Sequence, residues 1–202
     1  VDAPWGGISA FSPRLKERCL TGLETCDSLI FDPHKTLAPL GAGGAGMFLS
    51  RRREPVEKAF NVSGGDVARH DYAYLSLQGS RALTGLRVLS QILRPQELAR
   101  RVEREAALGE RLRALLRDAG WEIVSDTPLP VVCAIHPAMR GGAFTAADCV
   151  RHLNDAGVLA KADPLRDGEP DALRLGIISR RTDEAALDYV IERLAEFTAA
   201  RS

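Results

Sequence analysis

The chain has 202 residues, room for one large domain or two small ones around a real core. Hydrophobic residues make up 45% and charged residues 27%, the ordinary balance of a soluble globular protein. Lys plus Arg equals Asp plus Glu at 27 each, so net charge points to neither nucleic acid nor membrane as a partner. No apolar run is long enough for a membrane span, and no basic-then-apolar signal segment opens the chain.

VDAPW, residues 1 to 5, predicts a short strand that ends at Gly6-Gly7. The sequence starts directly on it, at Val1 and with no lead-in, so a preceding segment is expected. Residues 13 to 24 predict a helix with Leu15, Cys19, Leu20 and Leu23 on one face. DSLIFD, 27 to 32, predicts a buried strand, and AGMFLSR, 45 to 51, another. Between them a Pro/Gly-rich turn carries His34 and Lys35. Residues 61 to 79 have no clear periodicity and read as loop. Residues 80 to 93 predict a helix with Leu83, Leu86, Leu89 and Ile92 at apolar spacing.

Pro95 opens a long amphipathic helix that ends at Gly120. Its apolar side holds Leu98, Val102, Leu108, Leu112 and Leu115; Arg and Glu lace a face expected to meet solvent. WEIVSD, PVVCAIHP, GVLAKAD and ALRLGIIS predict strands. Residues 145 to 157 and 182 to 197 predict helices, with Thr145 and Thr182 at the N-cap positions. This is an α/β layered unit of four strands with helices on one face. The boundary falls near residue 95, dividing the chain into 1–94 and 95–202. Cys19, Cys26, Cys133 and Cys149 make no C-x-x-C pair and no metal-like cluster with the four histidines. They read as buried thiols suited to a reducing cytoplasm.

Three features converge on one chemistry. Asp2 ends a strand, His34-Lys35 ends another, and a small-residue strand follows. In open α/β sheets ligands gather at the carboxyl ends of strands. A Lys and an Asp held there suit pyridoxal phosphate. The aldehyde of that cofactor needs an amine, and its ring nitrogen holds a proton best beside a carboxylate. Arg could not replace the lysine. Gly41, Gly43 and Gly46 spell G-x-G-x-x-G. They precede a strand and not a helix, so the dinucleotide fingerprint fails and a tight turn is the better reading.

VDAPWGG followed by CDSLIFDPHKTL closely resembles the pyridoxal-phosphate-dependent group II amino acid decarboxylases, whose pattern is V-D-A-A-[WY]-G-G, then A-D-S, then [ND]-P-H-K. LQGSRALTGLRV and LRLGIISRRTDEAALDYVIERL resemble later segments of the same family. The resemblance implies the later part of a fold-type-I (aspartate aminotransferase-like) large domain plus a small α/β C-terminal domain. It implies a lyase with pyridoxal 5'-phosphate as cofactor and an amino acid, a small molecule, as substrate. It makes Lys35 the Schiff-base lysine, Asp2 the partner of the ring nitrogen and Ala3 a contact on the ring face. It places His34 and Asp32 near the phosphate or the imine. Gly79, Ser80 and Arg81 would approach the cofactor of a neighbouring subunit across a dimer interface. Arg174 is a candidate for the substrate carboxylate, with a strand-edge ion pair as the competing reading. Arg180 and Arg181 are weaker candidates, and His136 and His152 read as structural.

Two departures from the family pattern bear on function. The family's chains are longer, and this sequence resembles only their later part. The loop that cradles the phosphate at a helix N-terminus belongs to the earlier part. The expectation is therefore a truncated enzyme, or a split one completed by a second chain, in a homo- or hetero-oligomer. The second departure lies in residues 61 to 78. Many family members place there a tyrosine that protonates the carbanion; here Tyr72 and Tyr74 come later, with His70 nearby. Transamination or oxidative deamination thus stands beside decarboxylation, and a non-catalytic subunit is the reading from another class.

Overall fold

A computed structural model describes residues 1–36, 46–60, 84–165 and 168–201. The chain divides into two compact units, Val1–Ala99 and Arg100–Ser202. Residues 37–45, which hold most of the Pro/Gly-rich turn, and residues 61–83, which hold the stretch 61 to 79 read as loop and the start of the helix expected from residue 80, lie outside the described residues.

In the first unit the opening strand is reduced to a parallel bridge between Asp2 and Ile30. The Ile30 N–H donates to the Val1 carbonyl and the Ala3 N–H donates to the Ile30 carbonyl, each at 2.9 Å. Gly6–Phe11 then coils as a 3-10 helix. It lies against Phe31, and a Cβ on Gly7 would stand 2.5 Å from the Phe31 ring, a separation that side chains do not tolerate. Glycine is what lets this turn close over Ala3, Ile8 and Phe31, which are all buried.

Ser12 caps helix α1 (Pro13–Cys19) by accepting from the Leu15 N–H, with Pro13 at the first position. The helix expected to run to residue 24 stops at Cys19. Gly22 takes a left-handed φ of 85°, and Leu23–Thr25 forms a separate 3-10 turn. Strand β1 (Ser28–Phe31) leads into the short helix α2 (Pro33–Thr36) and pairs antiparallel with β2 (Met47–Ser50), Ile30 opposite Phe48. Helices α3 (Glu54–Phe60) and α4 (Thr84–Ile92) follow. α3 was not foreseen: its Arg53–Glu57 and Lys58–Glu54 ion pairs support a helix whose apolar pattern is too short to read.

Helix α5 (Pro95–Asp118) is the long helix expected, followed by Gly120 at φ 82°. Leu98, Val102, Leu108 and Leu112 of its expected apolar side are buried, and the buried side is wider than expected. Leu116 and not Leu115 is fully buried, and Glu105 and Arg113 are buried with it. The Arg113 guanidinium donates to the Leu129 and Val131 carbonyls, at 2.6 and 3.1 Å. The chain there runs so close to the helix that a Cβ on Gly109 would lie 3.0 Å from Pro130.

The sheet of the second unit is antiparallel throughout, in the order β3-β4-β6-β5. Its strands are β3 (Glu122–Ile123), β4 (Val131–Ile135), β5 (Lys161–Asp163) and β6 (Ala172–Gly176). Val132, Ala134, Leu173 and Leu175 share one face and join a core with Leu112, Leu116, Leu153, Leu187 and Phe197. The other face carries Cys133 opposite Arg174. Helix α6 (Pro137–Arg140) is short and was not predicted. Helices α7 (Ala146–Asp155) and α8 (Glu184–Ala199) complete the unit. Thr145 caps α7 in a reciprocal box with Asp148. Asp183 and not Thr182 caps α8, because its carboxylate reaches the Ala186 N–H. Among the described residues no helix is long and apolar enough to cross a membrane.

Candidate active site

The site grows from the carboxyl end of β1. Phe31 turns inward, Asp32 follows, and buried Pro33 fixes the backbone where α2 begins. The Lys35 N–H donates to the Asp32 carbonyl at 3.1 Å, closing one tight turn. The Lys35 amine returns to the Asp32 carboxylate, Nζ to Oδ2 at 2.9 Å. Lys35 keeps 33% and Asp32 20% of its side chain exposed. His34 points from the same turn and is exposed. Gly46 enters β2 beside Asp32: a Cβ there would stand 3.6 Å from Asp32 Oδ1.

Asp2 reaches this neighbourhood through the backbone. Val1–Ala3 runs parallel to β1, so both strands present their carboxyl ends on the same side. As the bridge partner of Ile30, Asp2 shares its face of the sheet; Ala3 turns to the buried face. A carboxylate on the segment that runs beside β1 and a primary amine on the short helix just beyond the end of β1 thus belong to one strand's surroundings. This donor set suits an aldehyde-bearing, nitrogen-containing ring: the amine can take the aldehyde carbon, and a carboxylate can accept from a ring N–H.

Arg174 lies in the sheet of the second unit, where its guanidinium meets Asp163 at 3.0 Å, with 28% of its side chain exposed. Arg180 and Arg181 are exposed, and the Arg180 carbonyl accepts from Arg104. His136 caps α6: its Nδ1 accepts from the Ala138 N–H, and its ring lies against Trp121 and Phe144. His152 meets the Arg193 carbonyl at 2.9 Å. The cysteines are all free. Burial pushes the Cys149 thiol up to about 12, so it stays protonated. His70, Tyr72, Tyr74, Gly79, Ser80 and Arg81, with Gly41 and Gly43, lie outside the described residues. The direct Asp32–Lys35 pairing was not anticipated, although D-x-x-K at i,i+3 spacing on a turn was its signal.

The family model of the pyridoxal-dependent decarboxylase conserved domain matches residues 1–135. No curated protein matches the sequence. Solved structures do. Rhodiola rosea 4-hydroxyphenylacetaldehyde synthase superposes with a TM-score of 0.82 at 18% identity, over 100% of this chain and 43% of that one. Mouse CSAD in apo form gives 0.77 at 21% identity, over 96% and 44%. Catharanthus roseus tryptophan decarboxylase, in complex with L-tryptophan, gives 0.76 at 22% identity, over 98% and 42%. The chain therefore spans less than half the length of these solved chains. At such identities the likeness carries the fold: the α/β architecture of part of a fold-type-I enzyme.

Proposed function

The chain belongs to the pyridoxal-dependent decarboxylase family, and from that premise we propose that it is the later part of an amino acid decarboxylase, a carboxy-lyase that works with pyridoxal phosphate. The observation that supports this most is the Lys35 amine at the carboxyl end of β1, beside a parallel strand that carries Asp2. We read residues 1–94 as the end of the cofactor-binding domain and 95–202 as the small C-terminal domain. A preceding half or a second chain completes the site, in an oligomer with active sites at the subunit interface. Four free thiols fit a cytoplasmic setting.

Pyridoxal phosphate, when bound, supplies a ring that takes up the electron pair left behind as carbon dioxide departs. Lys35 would hold the cofactor through its amine, the group the aldehyde carbon requires. Asp2 would hold a proton at the ring nitrogen, and Ala3 is the candidate contact on a ring face. His34 and Asp32 stand on the turn that presents Lys35. Gly79, Ser80 and Arg81 belong to the neighbouring subunit's site, Tyr72 or Tyr74 returns a proton to carbon, and Arg174 is the candidate for the substrate carboxylate. For Arg174 the Asp163 pair favours a structural role.

The chain has only four lysines, Lys16, Lys35, Lys58 and Lys161, which makes the test clean. After incubation with pyridoxal phosphate and borohydride reduction, peptide mapping should place the label on Lys35, with a visible absorbance band before reduction. A label on another lysine overturns the assignment. Lys35→Ala should abolish both the band and activity in the completed enzyme; unchanged activity would instead support a non-catalytic subunit. Assay of carbon dioxide against keto acid and ammonia separates decarboxylation from transamination or oxidative deamination, the reading that the late tyrosines leave standing.

A further inference from the structure

We propose that Asp32 is the resting partner of the Lys35 amine: it holds that amine whenever no carbonyl carbon does, and so governs how readily the amine is displaced. The inference rests on Lys35 being the attachment lysine.

The geometry carries it. Nζ lies 2.9 Å from the carboxylate, and both side chains are mostly withdrawn from solvent. The backbone bond between the same two residues and the buried ring of Pro33 keep the turn stiff. The pair is thus local and preformed. Lys58 offers a contrast within the chain: it pairs with Glu54 at 2.7 Å, but with 75% and 73% of the side chains exposed. Water and salt screen that pair, whereas the Asp32–Lys35 pair is screened less.

The consequence follows from the atoms. To attach, the ammonium must leave Asp32 and give a proton to solvent. The neutral nitrogen then adds to the aldehyde carbon, a C–N bond forms, and the aldehyde oxygen departs as water. When a substrate amine takes over that carbon, the Lys35 nitrogen leaves as a free amine, gains a proton from solvent and returns to Asp32. Nothing is oxidised or reduced. Asp32 stabilises only the detached form of Lys35, so it biases the exchange toward the substrate.

The test needs no cofactor. The full chain is treated at one fixed pH with limiting acetic anhydride, and acetylation at each lysine is read by mass spectrometry against the denatured chain. Asp32→Asn should raise acetylation of Lys35 by about two- to fivefold, the range that a partly exposed ion pair allows. Lys16, Lys58 and Lys161 should not change, and Asp32→Glu should return Lys35 to its slow value. In the completed enzyme, Asp32→Asn should raise by the same factor the concentration of substrate amine that displaces Lys35. Unchanged or slower acetylation of Lys35 in Asp32→Asn, or failure of Asp32→Glu to restore it, overturns the proposal. A borohydride label on another lysine would overturn the attachment role while leaving the acetylation result intact, so the two ideas fail separately.

Discussion

Lys35 and His136 show how one residue's surroundings decide its chemistry. Lys35 lies within the short helix that follows β1, and His136 caps the short helix that follows β4. Lys35 meets a carboxylate and keeps a third of its side chain in solvent. His136 meets aromatic rings, and burial lowers its affinity for a proton. Its cap to Ala138 also requires a bare Nδ1. The pH consequence has a definite sign. Above the ordinary value of 6.5 the ring is neutral in both folded and unfolded chains, and its contribution to stability is fully present. As pH falls below that value the unfolded chain takes the proton first, and stability is lost until the lowered folded value is passed. Urea denaturation from pH 7.5 down to 5 should show this loss, and His136→Asn, which keeps a side-chain acceptor, should flatten it.

Among the elements, α5 departs most from its sequence pattern. A helix laced with Arg and Glu reads as solvent-facing, yet Arg101 and Glu105 form a buried pair at 2.7 Å. Burial raises the Glu105 carboxyl, against the lowering pull of Arg101. Removing one partner alone strands the other. Glu105→Ala should cost about 3 kcal/mol or more in chemical denaturation, whereas Arg101→Met with Glu105→Leu should cost much less. The Gly7 turn makes the opposite kind of prediction, because it has no room to fill. Gly7→Ala forces the turn off Phe31 and should cost about 1–3 kcal/mol. Chemical denaturation of the three variants, followed by circular dichroism, would check both predictions. Periodicity located α5 because its apolar stripe is long; it could not show which charged residues a neighbouring loop would bury. Leu129–Val131 does that, by meeting Arg113 and pressing on Gly109.

At the scale of the molecule the two units differ in how much apolar surface they cover. The second has a four-stranded sheet with a contiguous core. Among the described residues the first has a two-stranded sheet and one bridge, with Ile30, Phe48 and Leu49 exposed at 44%, 55% and 47%. Two-stranded sheets are marginal by themselves. Amide hydrogen exchange should therefore be slowest in β4 and β6 and markedly faster in β1 and β2. If a preceding half completes the enzyme, adding it should slow exchange in β1 and β2 selectively.

The order Val1–Gly7, Asp32–Lys35 was enough by itself to select the family, because its residue types and spacing lie along the chain and need no fold to be read. Strong periods likewise located β1, β4, β6, α5, α7 and α8, since alternation and the helical repeat are local properties. Only the tertiary structure decided that Lys35 rests on Asp32, that Arg174 is held by Asp163, that Glu105 and Arg113 are buried, and that the helix expected to reach residue 24 breaks at Gly22. Each of these depends on which groups meet across space, and a pattern of residue types along the chain carries no distances.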